Sequence, residues 1–111
     1  MERQNSEALH SEARVHLVGG VNSPVRAFKS VHGNPVYFQE ASGAIVIDVD
    51  GNEYVDFVQS WGPLVHGHSH PEIIANIAKA MAKGTSFGAP HEGEIELAKM
   101  VKERFPHIDM V

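Results

Sequence analysis

The segment 19–26 combines residues that could bind a carboxylate. Two glycines and a proline give its backbone an unusual, fixed path. Arg26 is the one cation between Arg14 and Lys29, and its planar guanidinium can form two parallel hydrogen bonds with a carboxylate. Ser23, three residues earlier, could add a hydroxyl donor. The pattern leaves two interpretations open: a carboxylate clamp on a loop, or a solvated arginine beside an ordinary turn.

Two further segments could line a binding site. Trp61, the only tryptophan, follows a predicted strand, where an aromatic ring with a polar N–H often lines a pocket; a core-filling role is the alternative. Segment 84–90, which includes Thr85 and Ser86, has the hydroxyls and glycines that can hold an anion. It lacks the Gly-Lys-Ser/Thr of a nucleotide-binding P-loop, and a plain interhelical loop is the alternative.

Three of the eight histidines, His66, His68 and His70, alternate along the chain. In an extended stretch they would share one face, which suggests a small metal-binding module. Pro71 is predicted to open a helix, however, and that turns His70 away. The other interpretation is that the imidazoles hydrogen-bond the loop and order its turn into the helix. The pattern assigns no metal ligands.

Helices and a small sheet must position these residues. Ser6 is predicted to cap a helix over 6–17, with Leu9, Ala13 and Leu17 on one side. Strands are predicted at 36–40, 44–48 and 53–58, and Asp50-Gly51 is a hairpin signal, so we expect a three-stranded antiparallel meander. Two helices are predicted to follow, from residue 71 to a C-cap at Gly84 and from about 92 to 104. The expected regions are an N-terminal helix (1–20), a meander (34–60) and closing helices (71–111).

The composition of the chain argues against several classes of function. The 111 residues include 9 Lys and Arg against 14 Asp and Glu, for a net charge of −5, which argues against nucleic acid as a partner. No apolar stretch is long enough for a membrane span, and the polar first residues predict a cytosolic protein. There is no cysteine, and no lysine lies in the apolar setting that a Schiff base needs. A new apolar run begins near residue 107, so we expect the chain to continue beyond residue 111.

Five stretches, taken together, resemble the class-III pyridoxal-phosphate-dependent aminotransferases. The first and last resemble most closely the branch that converts glutamate 1-semialdehyde to 5-aminolevulinate in tetrapyrrole synthesis. The stretches are Gly-Gly-Val-Asn-Ser-Pro-Val-Arg-Ala-Phe (19–28), Asp-Val-Asp-Gly-Asn-Glu-Tyr-Val-Asp (48–56), Ser-Trp-Gly-Pro (60–63), Gly-His-Ser-His-Pro (67–71) and Gly-Thr-Ser-Phe-Gly-Ala-Pro (84–90).

The resemblance implies an α+β N-terminal segment of a fold-type-I enzyme, with the meander in its minor domain and the closing helices leading into its large domain. It implies a homodimer, pyridoxal 5′-phosphate and a small amino-acid semialdehyde as substrate. Ser23 and Arg26 match substrate-carboxylate contacts, and Trp61 matches a pocket-lining aromatic. Residues expected near the active site are Val25, Thr85 and Ser86.

The same resemblance places the Schiff-base lysine beyond residue 111. It therefore implies no catalytic residue here and an inactive chain in isolation. Another class-III aminotransferase built on the same scaffold is the alternative enzyme.

Overall fold

The computed structural model describes all residues from 1 to 111 and contains three α-helices and three strands. In chain order these are α1 (Gln4–His16), β1 (Phe38–Ser42), β2 (Ile45–Asp48), β3 (Glu53–Val55), α2 (Pro71–Met81) and α3 (Glu92–Arg104). One-turn 3-10 helices cover Val18–Gly20, Pro24–Arg26 and Gln59–Trp61. The chain divides into two compact units, Met1–Ile74 and Ala75–Val111. None of the helices has the length and apolar content that crossing a bilayer requires.

The three strands form the predicted antiparallel meander, in the order β1-β2-β3. Gly51 adopts a φ of 83° in the β2–β3 turn, which explains the glycine at that position. β1 begins two residues later than predicted, and its register shifts between Phe38 and Glu40. β3 ends at Val55, three residues early, because the next carboxylate, Asp56, accepts hydrogen bonds from the following turn.

The N-terminal helix α1 differs from its prediction at its first turn. It begins at Gln4, so the prediction that Ser6 caps it is wrong. Ser6 is instead fully buried within the helix, and its hydroxyl accepts a hydrogen bond from the Tyr37 amide at 3.4 Å. His10, one helical turn later, is the other buried residue, whereas Leu9 is exposed. The inward stripe of α1 is therefore polar, which a search for apolar periodicity does not detect.

A buried carboxylate lies at the end of β2, the middle strand of the meander. Asp48 is 0% exposed, and its Oδ1 accepts hydrogen bonds from the amides of Asp50 (3.0 Å) and Asn52 (2.8 Å). Its Oδ2 accepts from the Asn52 side chain (2.9 Å) and the Tyr54 hydroxyl (2.8 Å). Burial raises the pKa of Asp48, but these hydrogen bonds outweigh it and lower the pKa to about 2. The fully bonded charge fixes the β2–β3 turn.

The closing helices begin as predicted. α2 starts at Pro71 but ends at Met81, earlier than the predicted C-cap at Gly84 implies. The chain tightens after Met81, and the Gly84 amide donates to the Met81 carbonyl at 3.1 Å with a Gly84 φ of 136°. α3 starts at Glu92 and is capped by His91, whose Nδ1 accepts from the Gly93 amide at 3.1 Å. Apolar side chains remain exposed along both helices, among them Ile73, Ile77, Ile95 and Leu97.

Candidate functional site

The first unit contains an open cavity of about 1080 Å³. Apolar side chains from the meander and from the segment after α1 form much of its wall. Three of the residues predicted to lie at the site, Val25, Arg26 and Trp61, line it, together with Asp56 and His68. Segment 19–26 and the loop with Trp61, which were predicted as separate candidates, therefore line the same cavity.

Arg26 is presented on a tight backbone turn. Ser23 is extended (φ −147°, ψ 132°), as a residue before proline should be, and its carbonyl accepts from the Arg26 amide at 3.0 Å. Arg26 is exposed, and no carboxylate lies within ion-pair distance of its guanidinium. Its guanidinium is therefore available to an incoming anion at the wall of the cavity.

Ser23, by contrast, is not among the residues that line the cavity. It is half-buried and takes part in the turn through its backbone carbonyl. Its contact with a substrate carboxylate stays a prediction, as do the binding roles of Arg26 and Trp61.

Trp61 lies in a left-handed turn. Gln59, Ser60 and Trp61 have φ values of 50°, 54° and 65°, and Gly62 follows at 107°. Each non-glycine residue in this region costs about 1–2 kcal/mol, so surrounding contacts must hold the turn. Trp61 is 60% exposed and faces the cavity, so within this chain it does not fill a core.

The contacts that hold the turn converge on Asp56. Its Oδ1 accepts from the amides of Val58 (2.8 Å) and Gln59 (3.1 Å), and its Oδ2 accepts from His68 Nε2 at 2.7 Å. The His68 hydrogen bond, followed by those from Gln59 and Val58, lowers the pKa of the Asp56 carboxyl. No local pattern marks Asp56, which lies within the predicted strand 53–58.

His68 is separated from its two alternating neighbours. It faces Asp56, while the rings of His66 and His70 lie 5.7 Å apart. No group of three or more His, Asp or Glu side chains is arranged to hold a metal ion. Of the two interpretations of the histidines, the structure supports loop ordering for His68.

Thr85 and Ser86 belong to the second unit. They line a separate hollow of about 650 Å³ with Phe87, His91 and Glu94 among its other walls. The Phe87 and His91 rings stack there, with centroids 5.0 Å apart and planes 13° from parallel. Any contact of Thr85 and Ser86 with substrate stays a prediction.

The comparison with protein families identifies the chain. The model for aminotransferase class III matches residues 27–111, and the chain belongs to that family. Two similar proteins have the name of one particular enzyme of this family. Glutamate-1-semialdehyde 2,1-aminomutase 2 of Brevibacillus brevis is 54% identical over all 111 residues, which span 26% of that protein. The Heliobacterium modesticaldum glutamate-1-semialdehyde 2,1-aminomutase is 57% identical over 96% of this chain and 24% of its own.

Solved structures support the same fold, that of the fold-type-I transaminases. A transaminase with pyridoxal phosphate bound is 42% identical, with a TM-score of 0.83 over 94% of this chain and 24% of its own. A glutamate-1-semialdehyde aminomutase from Pseudomonas aeruginosa is 29% identical, with a TM-score of 0.80 over 92% of this chain and 22% of its own. The chain spans about a quarter of the length of the relatives that it matches.

The family assignment and these solved structures imply that class-III aminotransferases use pyridoxal phosphate as their cofactor. The residues of this chain do not fit its covalent attachment. All five lysines are exposed, and none lines the cavity that contains Arg26; they are Lys29, Lys79, Lys83, Lys99 and Lys102. What the chain offers is a cavity with an exposed guanidinium on its wall, and the binding of a carboxylate there stays a prediction.

Proposed function

We propose that this chain supplies part of the substrate site of an intramolecular aminotransferase that converts glutamate 1-semialdehyde to 5-aminolevulinate in tetrapyrrole synthesis. The observation that carries the proposal is the placement of Arg26, an unpaired guanidinium on the wall of a largely apolar cavity. The substrate has one carboxylate, which matches one bidentate cation. The 50–57% identity to proteins named as this aminomutase supports the specific reaction.

Arg26 binds the substrate carboxylate in this proposal and so fixes which end of the molecule enters first. The apolar wall reduces competition from water, and that strengthens the charged hydrogen bonds. Such orientation matters in an isomerisation, since the amino group must move between neighbouring carbons of one substrate. Trp61 and Val25 then bound the space around the carbon chain.

The remaining predicted roles are part of the same proposal. Ser23 adds a hydroxyl to the carboxylate contact, and Thr85 and Ser86 belong to a segment near the active site of the whole protein. The whole protein is a cytoplasmic homodimer that uses pyridoxal phosphate, with its Schiff-base lysine outside these 111 residues. The meander belongs to its minor domain, and the closing helices lead into the large domain.

A graft experiment tests the function. The 111 residues replace the matching part of the Brevibacillus brevis relative, which is 54% identical to them. We expect the chimera to form 5-aminolevulinate from glutamate 1-semialdehyde without any added amino donor or acceptor. The unmodified relative is the positive control, and the same relative lacking this segment is the negative control.

The competing function is that of an ordinary class-III aminotransferase, which the 42% identical transaminase structure favours. That enzyme would exchange its amino group with a second substrate. If the chimera forms product only when a 2-oxo acid or a second amine is present, the aminomutase proposal is wrong.

A further inference from the structure

The hydrogen-bonded pair of Asp56 and His68 has no role in the function proposed above. Both side chains line the same cavity as Arg26 and Trp61, and both are largely buried. His68 Nε2 donates to Asp56 Oδ2 at 2.7 Å. A pair that connects two loops at the wall of a binding cavity can determine the shape of that wall.

His68 is held by the backbone on both sides. Its amide donates to the Gly43 carbonyl at 2.8 Å, and its carbonyl accepts from the Gly43 amide at 2.9 Å. Gly67 permits this close approach, because a Cβ at that position would lie 2.7 Å from the Gly43 oxygen. The backbone of His68 is therefore fixed against Gly43 of the β1–β2 turn, and its imidazole extends from that fixed position.

Asp56 transmits that position to the turn that bears Trp61. The Asp56 backbone is itself anchored, because its amide donates at 2.8 Å to the carbonyl of Ala44, the residue directly before β2. With His68 bound to Oδ2, its Oδ1 is oriented to accept from Val58 and Gln59. The Val58 carbonyl in turn accepts from the Trp61 amide at 2.9 Å. Three contacts thus connect the imidazole to the indole-bearing residue.

We propose that Asp56 and His68 are positioning residues that hold the left-handed turn 59–62, so that Trp61 faces the substrate cavity. Neither residue touches the reacting atoms in this proposal. The inference rests on the proposed function for the role of the cavity, but the order of the turn is measurable without any activity.

The first measurement follows Trp61 directly. The protein or the chimera is labelled with 5-fluorotryptophan, and the Trp61 resonance is assigned with Trp61→Phe. We expect His68→Ala to shift or broaden that resonance, because the turn loses its anchor. His68→Gln, whose amide can donate to Asp56, should restore it. His66→Ala is the matched control, since His66 is exposed and does not contact Asp56.

The second measurement separates positioning from general damage. In the chimera, Trp61→Ala and His68→Ala should each raise KM about tenfold, with a smaller change in kcat. The double variant should be no worse than Trp61→Ala alone, because His68 acts through Trp61. Asp56→Asn, which keeps one oxygen for the turn, replaces His68→Ala if circular dichroism shows the latter to be unfolded.

The outcomes are distinct. If His68→Ala moves the Trp61 resonance no more than His66→Ala does, or if the two KM effects multiply, the positioning proposal is wrong. A chimera that makes no 5-aminolevulinate, yet shows the expected loss and rescue of the Trp61 resonance, would refute the proposed function and support the positioning of Trp61.

Discussion

Asp50 binds the first turn of the N-terminal helix: its Oδ2 accepts from the Ser6 backbone amide at 2.9 Å, across 44 residues of sequence. Its Oδ1 accepts from the neighbouring Asn5 amide at 2.7 Å. Amides in the first turn of a helix have no partner within the helix, and the helix dipole favours a negative charge there. A carboxylate on the β2–β3 turn therefore caps α1 and attaches it to the meander.

Replacement of Asp50 by alanine should loosen the start of α1. We expect hydrogen exchange at the Asn5 and Ser6 amides to become about five- to tenfold faster, which corresponds to the loss of a helix cap. Glu53→Ala is the matched control, because Glu53 is exposed on the adjacent strand and its side chain has no hydrogen bond. Equal protection in the two variants would contradict the capping role.

The three bonded carboxylates of the first unit should make the protein sensitive to strong acid. The pKa of Asp48 falls from 3.8 to about 2 on folding, and the pKa values of Asp50 and Asp56 are also lowered. A lowered pKa stabilises the folded state above the ordinary value near 3.8, and this contribution is lost as the pH falls towards 2. We therefore expect the free energy of unfolding to decrease between pH 4 and pH 2.

Asp48→Asn isolates the largest of these effects. The side-chain NH2 of the new asparagine would face groups that donate to Asp48, such as the Asn52 amide and the Tyr54 hydroxyl. The variant should therefore be less stable at pH 7. It should also take up about one proton fewer on acid unfolding, because its side chain no longer titrates. Urea unfolding at a series of pH values measures both quantities. An unchanged dependence on pH would show that Asp48 is not the group responsible.

The sequence predicted those parts of the fold that short-range signals determine. The Asp50-Gly51 turn, Pro71 at the start of α2 and the span of α3 all follow from neighbouring residues, and the structure confirms them. The predicted start of α1 was wrong, because it depends on a contact that is distant in sequence. Its cap comes from Asp50, 44 residues away, and no local pattern connects the two positions.

Gly67 and Gly43 offer a comparison of two glycines that both adopt a positive φ. Both have positive φ, 77° and 57°, but a Cβ on Gly67 would lie 2.7 Å from the Gly43 carbonyl oxygen, whereas one on Gly43 would meet nothing within 4 Å. Gly43→Ala should therefore cost about 1 kcal/mol, from the backbone conformation alone. Gly67→Ala should cost at least about 2 kcal/mol, because the β1–β2 turn must also move.

Chemical denaturation of the two variants measures this difference in the free energy of unfolding. Gly67→Ala should also disturb His68, which is hydrogen-bonded to Gly43. Equal costs at the two positions would mean that steric contact with the β1–β2 turn does not constrain residue 67.

Two residues on the wall of the cavity could be predicted from the chemistry of their side chains alone. The fork of donors on Arg26 and the amphipathic ring of Trp61 can be recognised from residue type alone, and both residues line the cavity. The supporting pair was not predictable. Asp56 and His68 are 12 residues apart, and His68 was grouped with two other histidines by an alternation that the left-handed residues Gly67 and Ser69 disrupt.

Substitution of Arg26 distinguishes a fork-shaped contact from a simple positive charge. In the chimera we expect Arg26→Ala to raise KM about 10- to 100-fold, since charged hydrogen bonds contribute about 1.5–3 kcal/mol. Arg26→Lys should recover only part of this loss, because an ammonium group keeps the charge but cannot bind a carboxylate with two parallel bonds. The exposed Lys29 does not line the cavity, so Lys29→Ala should leave KM unchanged. Full recovery with lysine would mean that the cavity recognises charge alone, and an unchanged KM in Arg26→Ala would exclude Arg26 as the carboxylate contact.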